Sequence, residues 1–237
     1  MKKIIPAFFL WSIAAIAPAV TIVKSGDFAT VTQPENGFIS DAAGSNFTAA
    51  QFTVTDFVLI EELVFEGHYL FSTPEVPIVD VDDFTVGFFP NGTGAPIDPF
   101  NPAPVTPEII LQVITPLRTD TGINVSSAFS DPYDIYRYEA LLPVPVALVP
   151  GTYWVAIAND TSSFGDFVNW TWNFQPGASL NGINTSGANI QGPYFNFGFG
   201  TPIYELEGSI IPEPSIGLLA LVGAIAAFGR RRRSVQA

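Results

Sequence analysis

The chain has 237 residues, of which 22 are acidic and 9 are basic, and its formal net charge at pH 7 is −13. This acidic balance excludes the basic footprint that nucleic-acid-binding proteins need, so no nucleic-acid partner is predicted. The chain has no cysteine, which excludes disulfide bonds, thiolate metal sites and cysteine nucleophiles. Its stability is therefore expected to rest on core packing and on hydrogen bonds between strands.

Residues 1–19 are predicted to form a secretory signal peptide helix. The segment begins with two lysines after the initial methionine and continues with an apolar core over residues 4–16. The small-x-small sequence Ala17-Pro18-Ala19 then gives a cleavage site after Ala19. The alternative is a permanent N-terminal transmembrane anchor.

Residues 20–208 are predicted to form one acidic domain. Between residues 20 and 211 the chain keeps three basic residues against 21 acidic ones, because Glu213 is the one acidic residue beyond this part. The resulting net charge of about −18 suits a soluble exported protein and argues against binding to anionic lipid surfaces. It also leaves divalent cations as candidate ligands.

This domain is predicted to be all-β. Short runs rich in β-branched and aromatic residues alternate with clusters of glycine, proline, asparagine and aspartate. The strands predicted in chain order are 28–31, 50–55, 57–65, 84–89, 108–114, 134–140, 151–158, 167–174, 194–199 and 203–207. So many short strands with frequent turns favour a single β-sandwich of jelly-roll type.

Three tryptophans are candidates for a carbohydrate platform. Strand alternation puts Trp170 and Trp172 on one face, about 7 Å apart, which is close to a sugar repeat. Trp154 belongs to another predicted strand, on the face opposite Val155. These rings either form an exposed platform that stacks on sugars or belong to the core of the sandwich.

An acidic cluster, Asp80, Asp82 and Asp83, is the predicted candidate for a metal site. In an extended segment Asp80 and Asp82 project the same way, about 7 Å apart. Calcium takes several oxygen ligands, and this segment could supply some of them. The alternative is a solvated acidic turn, and no other cofactor is predicted.

No catalytic residue is predicted. His68 is the only histidine, and no nucleophile-elbow motif accompanies it to suggest a Ser-His-Asp triad. Glu62 and Glu66 would share a face of their strand, as a glycosidase pair requires, but an acidic surface explains them more simply. An exported hydrolase is therefore kept as the last alternative, and it would require a cleft in which His68 meets an acid and a hydroxyl.

Part of the domain carries a family resemblance. The strand at 82–89, the proline- and glycine-rich loop after it, Tyr136-Arg137-Tyr138 and Pro150-Gly151-Thr152-Tyr153-Trp154 resemble a β-sandwich of exported bacterial proteins. It is also similar to pre-peptidase C-terminal and galactose-binding-like domains. The resemblance covers about residues 50–175 and implies a fold without an assigned activity.

The most specific motif lies in residues 209–237, where an acidic turn, a short apolar stretch over 216–228 and a basic end follow one another. The turn is Pro212, Glu213 and Pro214, and the basic end is Arg230, Arg231, Arg232 and Arg233. As a helix the apolar stretch would span roughly 20 Å, which is short for a bilayer core of about 30 Å. The arginines would act as a membrane stop and remain in the cytoplasm.

This tail resembles the PEP-CTERM sorting signal, which exosortase-type membrane enzymes recognise in exopolysaccharide-producing Gram-negative bacteria. The resemblance implies a precursor anchored in the inner membrane by a short transmembrane helix, cleavage near Pro-Glu-Pro by an exosortase-like enzyme, and transfer to the cell surface or extracellular matrix. A plain tail anchor is the alternative. The whole chain is expected to be a non-enzymatic structural or interaction protein associated with exopolysaccharide or a biofilm. A carbohydrate-binding module, assisted by calcium, is the second hypothesis.

Overall fold

The computed structural model describes residues 19–28, 37–42, 46–71, 82–91, 110–127, 130–164, 168–176, 182–186, 195–196 and 200–212. Within these ranges the chain is almost entirely β-strand, as the sequence predicts, with a short 3-10 helix at Ser162–Phe164. No helix in the described part has the length and apolar character needed to cross a membrane. The predicted signal peptide at residues 1–19 and the predicted sorting segment at 209–237 lie outside the described residues, apart from Ala19 and residues 209–212.

The strands within these ranges are, in chain order, β1 (Val20–Ser25), β2 (Gly37–Ile39), β3 (Asn46–Val54), β4 (Val58–Phe71), β5 (Phe84–Pro90), β6 (Ile110–Ile114), β7 (Leu117–Ser127), β8 (Ser130–Leu148), β9 (Gly151–Asn159), β10 (Val168–Pro176), β11 (Gly182–Ser186), β12 (Phe195–Asn196), β13 (Gly200–Pro202) and β14 (Tyr204–Ile210).

The larger of two antiparallel sheets is built around β4. One edge of β4 pairs with β8 over residues 58–67, and β7 continues the sheet beyond β8. The other edge pairs first with β14 and then with β10. β1 adds to β14, while β2 and β13 add to β10. A 14-residue strand that serves three neighbours makes β4 the spine of this sheet.

The smaller sheet has the order β12-β11-β3-β9-β5-β6, and every neighbouring pair in it is antiparallel. Its inner face packs against the inner face of the larger sheet. Phe84 of β5 marks this contact, because its ring lies 5.2 Å from Phe65 of β4 and 5.0 Å from Trp170 of β10. The two sheets therefore enclose one main core, and each large side chain buried there contributes roughly 1.5–3 kcal/mol.

Two smaller clusters lie outside this main core. The first combines Phe47, Ala49, Phe89, Trp154, Ala156 and Ala158, which project from the other face of the smaller sheet. The second is the pair Ile135 and Ile203, with Phe28 and Ile123 packed against it. Both sheets therefore bury apolar side chains on their outer faces as well as between them.

The first and last described strands lie side by side. β1 runs antiparallel to β14, with Val20 opposite Gly208. Ile210 lies opposite Val58, and Val58 lies opposite Leu148, just before the turn between β8 and β9. We call this end of the domain, where β1 begins and β14 ends, the terminal end, and the opposite end the far end.

Candidate functional site

The three tryptophans do not form an exposed platform, so that hypothesis is wrong. Trp170 and Trp172 share a face, as alternation predicts, but the face is the inner one and both side chains are fully buried. The indole of Trp172 donates a hydrogen bond to the Ile203 carbonyl at 3.0 Å. Trp154 is also buried, on the opposite face of the smaller sheet, and its indole donates to Asn91 Oδ1 at 2.9 Å. All three rings serve packing, and sugar stacking would require them to be open to solvent.

The predicted acidic cluster is brought together only in part. Asp80 lies outside the described residues. Asp82 accepts a hydrogen bond from the Tyr69 hydroxyl at 2.5 Å and pairs with the Arg118 guanidinium at 3.5 Å. Asp83 is exposed, and its backbone N–H donates to Asn159 Oδ1 at 2.9 Å. Asp82 is thus engaged with protein partners, and the described residues contain no group of three or more side chains placed to hold a metal ion.

Tyr69, Asp82 and Asn159 join the two sheets at the far end. Tyr69 lies at the end of β4 in the larger sheet, whereas Asn159 ends β9 in the smaller one. The Asn159 amide donates to the Tyr69 hydroxyl at 3.1 Å, and Tyr69 donates onward to Asp82. Burial and the nearby Asp82 carboxylate raise the pKa of Tyr69 well above its ordinary value, so the phenol stays a donor at neutral pH. We call these three residues the sheet clasp.

A second polar contact involves Ser40 and Asp41, which follow β2. Both are fully buried. Asp41 accepts hydrogen bonds from the backbone N–H of Trp170 at 2.7 Å and of Thr161 at 3.3 Å. Ser40 donates to the Ile157 carbonyl and accepts from the Thr48 N–H. These two side chains satisfy backbone groups of both sheets, which is the condition for burying polar atoms without a large penalty.

His68 is a buried structural residue on the outer face of β4. Its Nδ1 donates to Asn173 Oδ1 on β10 at 2.6 Å. Burial disfavours the charged imidazolium and lowers the pKa of His68 from 6.5 to about 4, against the opposing effect of the Asn173 hydrogen bond. The imidazole is therefore neutral at physiological pH and closed to solvent. Among the described residues, His68 is therefore not open to a cleft of the kind that the hydrolase hypothesis requires.

Glu62 and Glu66 share the outer face of β4, as predicted, but they differ in environment. Glu66 is buried, whereas Glu62 is partly exposed. Burial, followed by the carboxylates of Glu207 and Glu139, raises the pKa of Glu62. The prediction of an acidic surface holds for Glu62 and not for Glu66. The two carboxylates do not stand at a shared open cleft, as a glycosidase pair would.

An apolar pocket of about 270 Å³ opens at the terminal end. Its walls include Phe88, Pro90, Ile110, Leu148, Val149 and Tyr153. The Tyr153 hydroxyl donates to the Val149 carbonyl at 2.9 Å and so holds the turn between β8 and β9 against the pocket. Sequence analysis did not predict this pocket, because its walls come from strands that are distant in the chain. The apolar residues flanking the Pro150-Gly151 turn were the available signal.

The predicted sorting motif begins where the described chain ends. β14 ends at Ile210, and the backbone N–H of Ile211 donates to the Phe57 carbonyl at 2.8 Å. Pro212 is the last described residue, while Glu213, Pro214 and the four arginines at 230–233 lie outside the described residues. Within the described part, the ordered strand therefore continues to within two residues of the Pro-Glu-Pro turn.

No protein-family model, curated protein or solved structure matches this chain. The resemblances to the PEP-CTERM signal and to pre-peptidase C-terminal and galactose-binding-like domains therefore remain predictions from the residues quoted for them.

Proposed function

We propose that the protein is exported through its signal peptide, anchored in the inner membrane by its C-terminal apolar segment, and then processed by an exosortase-like enzyme. The body, a β-sandwich of jelly-roll type, reaches the cell surface or extracellular matrix. There it acts as a structural or interaction protein associated with exopolysaccharide. The observation that carries this proposal is the order of Pro-Glu-Pro, the apolar stretch at 216–228 and four arginines, directly after the last strand.

The bounds of the described fold support this division of the chain. β1 begins at Val20, the residue that follows the predicted cleavage site after Ala19. β14 ends at Ile210, two residues before Pro212. β14 thus passes the predicted domain boundary at residue 208 by two residues, and cleavage after Ala19 and near Pro212 would leave every strand of the described domain intact.

The engagement of the polar side chains supports a non-catalytic function. His68 is buried against Asn173, and Asp82 is held by Tyr69 and Arg118. The hydrolase alternative needs His68 in an open position, and the calcium alternative needs Asp82 available as a ligand. Because they instead connect strands, the domain fits the part of a stable scaffold, and its acidic surface suits life outside the cell.

A pair of matched variants tests the sorting proposal in the native host. Glu213→Ala changes the Pro-Glu-Pro turn, whereas Glu75→Ala changes a second Pro-Glu sequence far from the tail. We expect Glu213→Ala to leave full-length protein in the membrane fraction, and Glu75→Ala to be processed and released like the wild type. Cell fractionation with immunoblotting measures both. Equal release of the two variants would contradict the assignment of Pro-Glu-Pro as the sorting motif.

A further inference from the structure

The terminal end carries exposed apolar side chains. The solvent-exposed fractions are 42% for Val20, 55% for Val149, 50% for Ile210 and 38% for Ile211. Val149 also borders the apolar pocket, whose mouth opens at the same end. The backbone that carries two of these side chains is hydrogen-bonded, because the Ile211 N–H donates to the Phe57 carbonyl and the Tyr153 hydroxyl donates to the Val149 carbonyl. The end therefore presents an ordered apolar surface to its surroundings.

The described residues of this surface carry little charge. Among the described residues 20–22, 52–58, 86–91, 110–112, 146–155 and 208–212, which form the terminal end, Asp56 is the one charged side chain. The far end, in contrast, carries Asp82, Asp83, Asp134 and Asp160. Among the described residues, the far end therefore carries more acidic side chains than the terminal end.

The chain gives the terminal end little freedom to move away from a membrane. Only residues 212–215 separate Ile211 from the apolar stretch that begins at Ile216. Even fully extended, a connection of this length covers about 14–18 Å. The polar interface of a bilayer leaflet is itself roughly 5–8 Å thick. An anchored domain must therefore keep this end within a short distance of the headgroups.

We propose that the terminal end of the domain rests on the lipid bilayer while the chain is anchored, with Val149, Ile210 and Ile211 at the boundary between headgroups and acyl chains. This inference rests on the anchoring step of the proposed function. Ordered, exposed apolar side chains gain free energy when they leave water at such an interface. Docking would hold the domain upright, with its far end turned away from the membrane.

The acidic charge of the domain does not oppose this orientation. A strand as long as β4, with 14 residues, extends roughly 46 Å, so the far-end carboxylates stand well away from the headgroups. Electrostatic interactions between exposed charges are screened over about 8–10 Å at physiological ionic strength. Among the described residues of the terminal end, repulsion from anionic lipids acts through Asp56, whereas an orientation with the far end on the membrane would bring the described carboxylates of that end against it.

Site-specific fluorescence quenching tests the orientation, because the chain has no cysteine and each introduced thiol is unique. The full chain is reconstituted into phosphatidylcholine vesicles that contain nitroxide-labelled lipid. One variant, Val149→Cys, carries an environment-sensitive fluorophore at the terminal end. The matched control, Val113→Cys, replaces another exposed valine, on β6 and closer to the far end, and Ser162→Cys lies at the far end itself.

Docking predicts quenching at position 149 at least threefold stronger than at position 113, with the weakest quenching at position 162. Adding Ile210→Ser and Ile211→Ser to the Val149→Cys variant should reduce its quenching to the level at position 113, because the tether remains but the apolar contact is lost. Equal quenching at positions 149 and 113, or no effect of the two serines, would overturn the proposal.

Flotation of the same samples in a density gradient tests the anchoring of the chain separately from the docking of its terminal end. A chain that fails to float with the vesicles is not anchored, so both the anchoring step and the docking are then wrong. A chain that floats but shows no preferential quenching at position 149 is anchored without docking, and only the docking proposal is then wrong.

Discussion

Replacing His68 with glutamine should remove one specific source of acid sensitivity from the domain. In the folded protein the imidazole is buried between β4 and β10 and donates to Asn173. The side chain of glutamine can occupy the same space and also donate a hydrogen bond, but it does not titrate. The variant therefore loses the proton-binding site while it keeps much of the packing.

The sign and size of the effect follow from the two pKa values. The pKa of His68 falls from 6.5 to about 4 on folding. Above pH 6.5 the imidazole is neutral in both states and has no influence on the pH dependence. Between pH 6.5 and pH 4 the unfolded chain binds a proton that the folded chain does not, so stability falls as the pH falls. The shift corresponds to about 3 kcal/mol of unfolding free energy, lost by pH 4.

Urea denaturation of both proteins at pH 7 and pH 4 measures this difference. The wild type should lose about 3 kcal/mol more than His68→Gln between the two pH values. Equal losses of unfolding free energy in the two proteins would contradict a lowered pKa of His68 in the folded state. Because His68 is the only histidine, its NMR signal also gives the pKa directly, and a value near 6.5 would refute it as well.

Two further predictions concern stability, and a third concerns the pKa of Tyr69. Trp170→Ala should lower the free energy of unfolding by about 3–5 kcal/mol in chemical denaturation, because it empties a site in the main core. Gly208→Ala should lower the free energy of unfolding more than Gly122→Ala does in the same measurement. A Cβ at Gly208 would lie 1.9 Å from a carbonyl oxygen of β4. Gly122 has open space around it, and only its φ of +71° makes alanine unfavourable there, by about 1 kcal/mol. Asp82→Asn should lower the pKa of Tyr69 in a spectrophotometric titration, because the nearby carboxylate raises it.

The strands with clear alternation could be predicted nearly to their bounds. The predicted strands at 84–89, 151–158 and 167–174 correspond to β5 (Phe84–Pro90), β9 (Gly151–Asn159) and β10 (Val168–Pro176). Each has a continuous apolar or aromatic face that the core requires, so local pattern and tertiary packing agree.

The prediction failed where local pattern and pairing disagree. β7 was missed because its sequence, Leu117–Ser127, is polar and contains Gly122 at positive φ, although pairing with β8 makes it a strand. β8 was predicted only at 134–140 because prolines follow, and yet the strand continues to Leu148. β1 was missed because it begins at the predicted signal-peptide site and owes its order to pairing with β14.

The candidate sites likewise depend on the pairing and packing of distant strands, which local sequence patterns do not give. Alternation correctly put Trp170 and Trp172 on one face, but it cannot tell which face of a strand meets the second sheet. The sheet clasp of Tyr69, Asp82 and Asn159 joins residues up to 90 positions apart, so no local sequence pattern predicts it. The apolar pocket is likewise a product of strand order, which a single sequence does not contain.

The most direct test of the account is the intact mass, with C-terminal peptide mapping, of the protein recovered from the envelope and the medium of its native host. We expect a mature chain that begins at Val20 and ends near Pro212-Glu213-Pro214. A recovered chain that still carries Arg230–Arg233 would contradict it, because such a chain is a plain membrane-anchored protein that no sorting enzyme has processed.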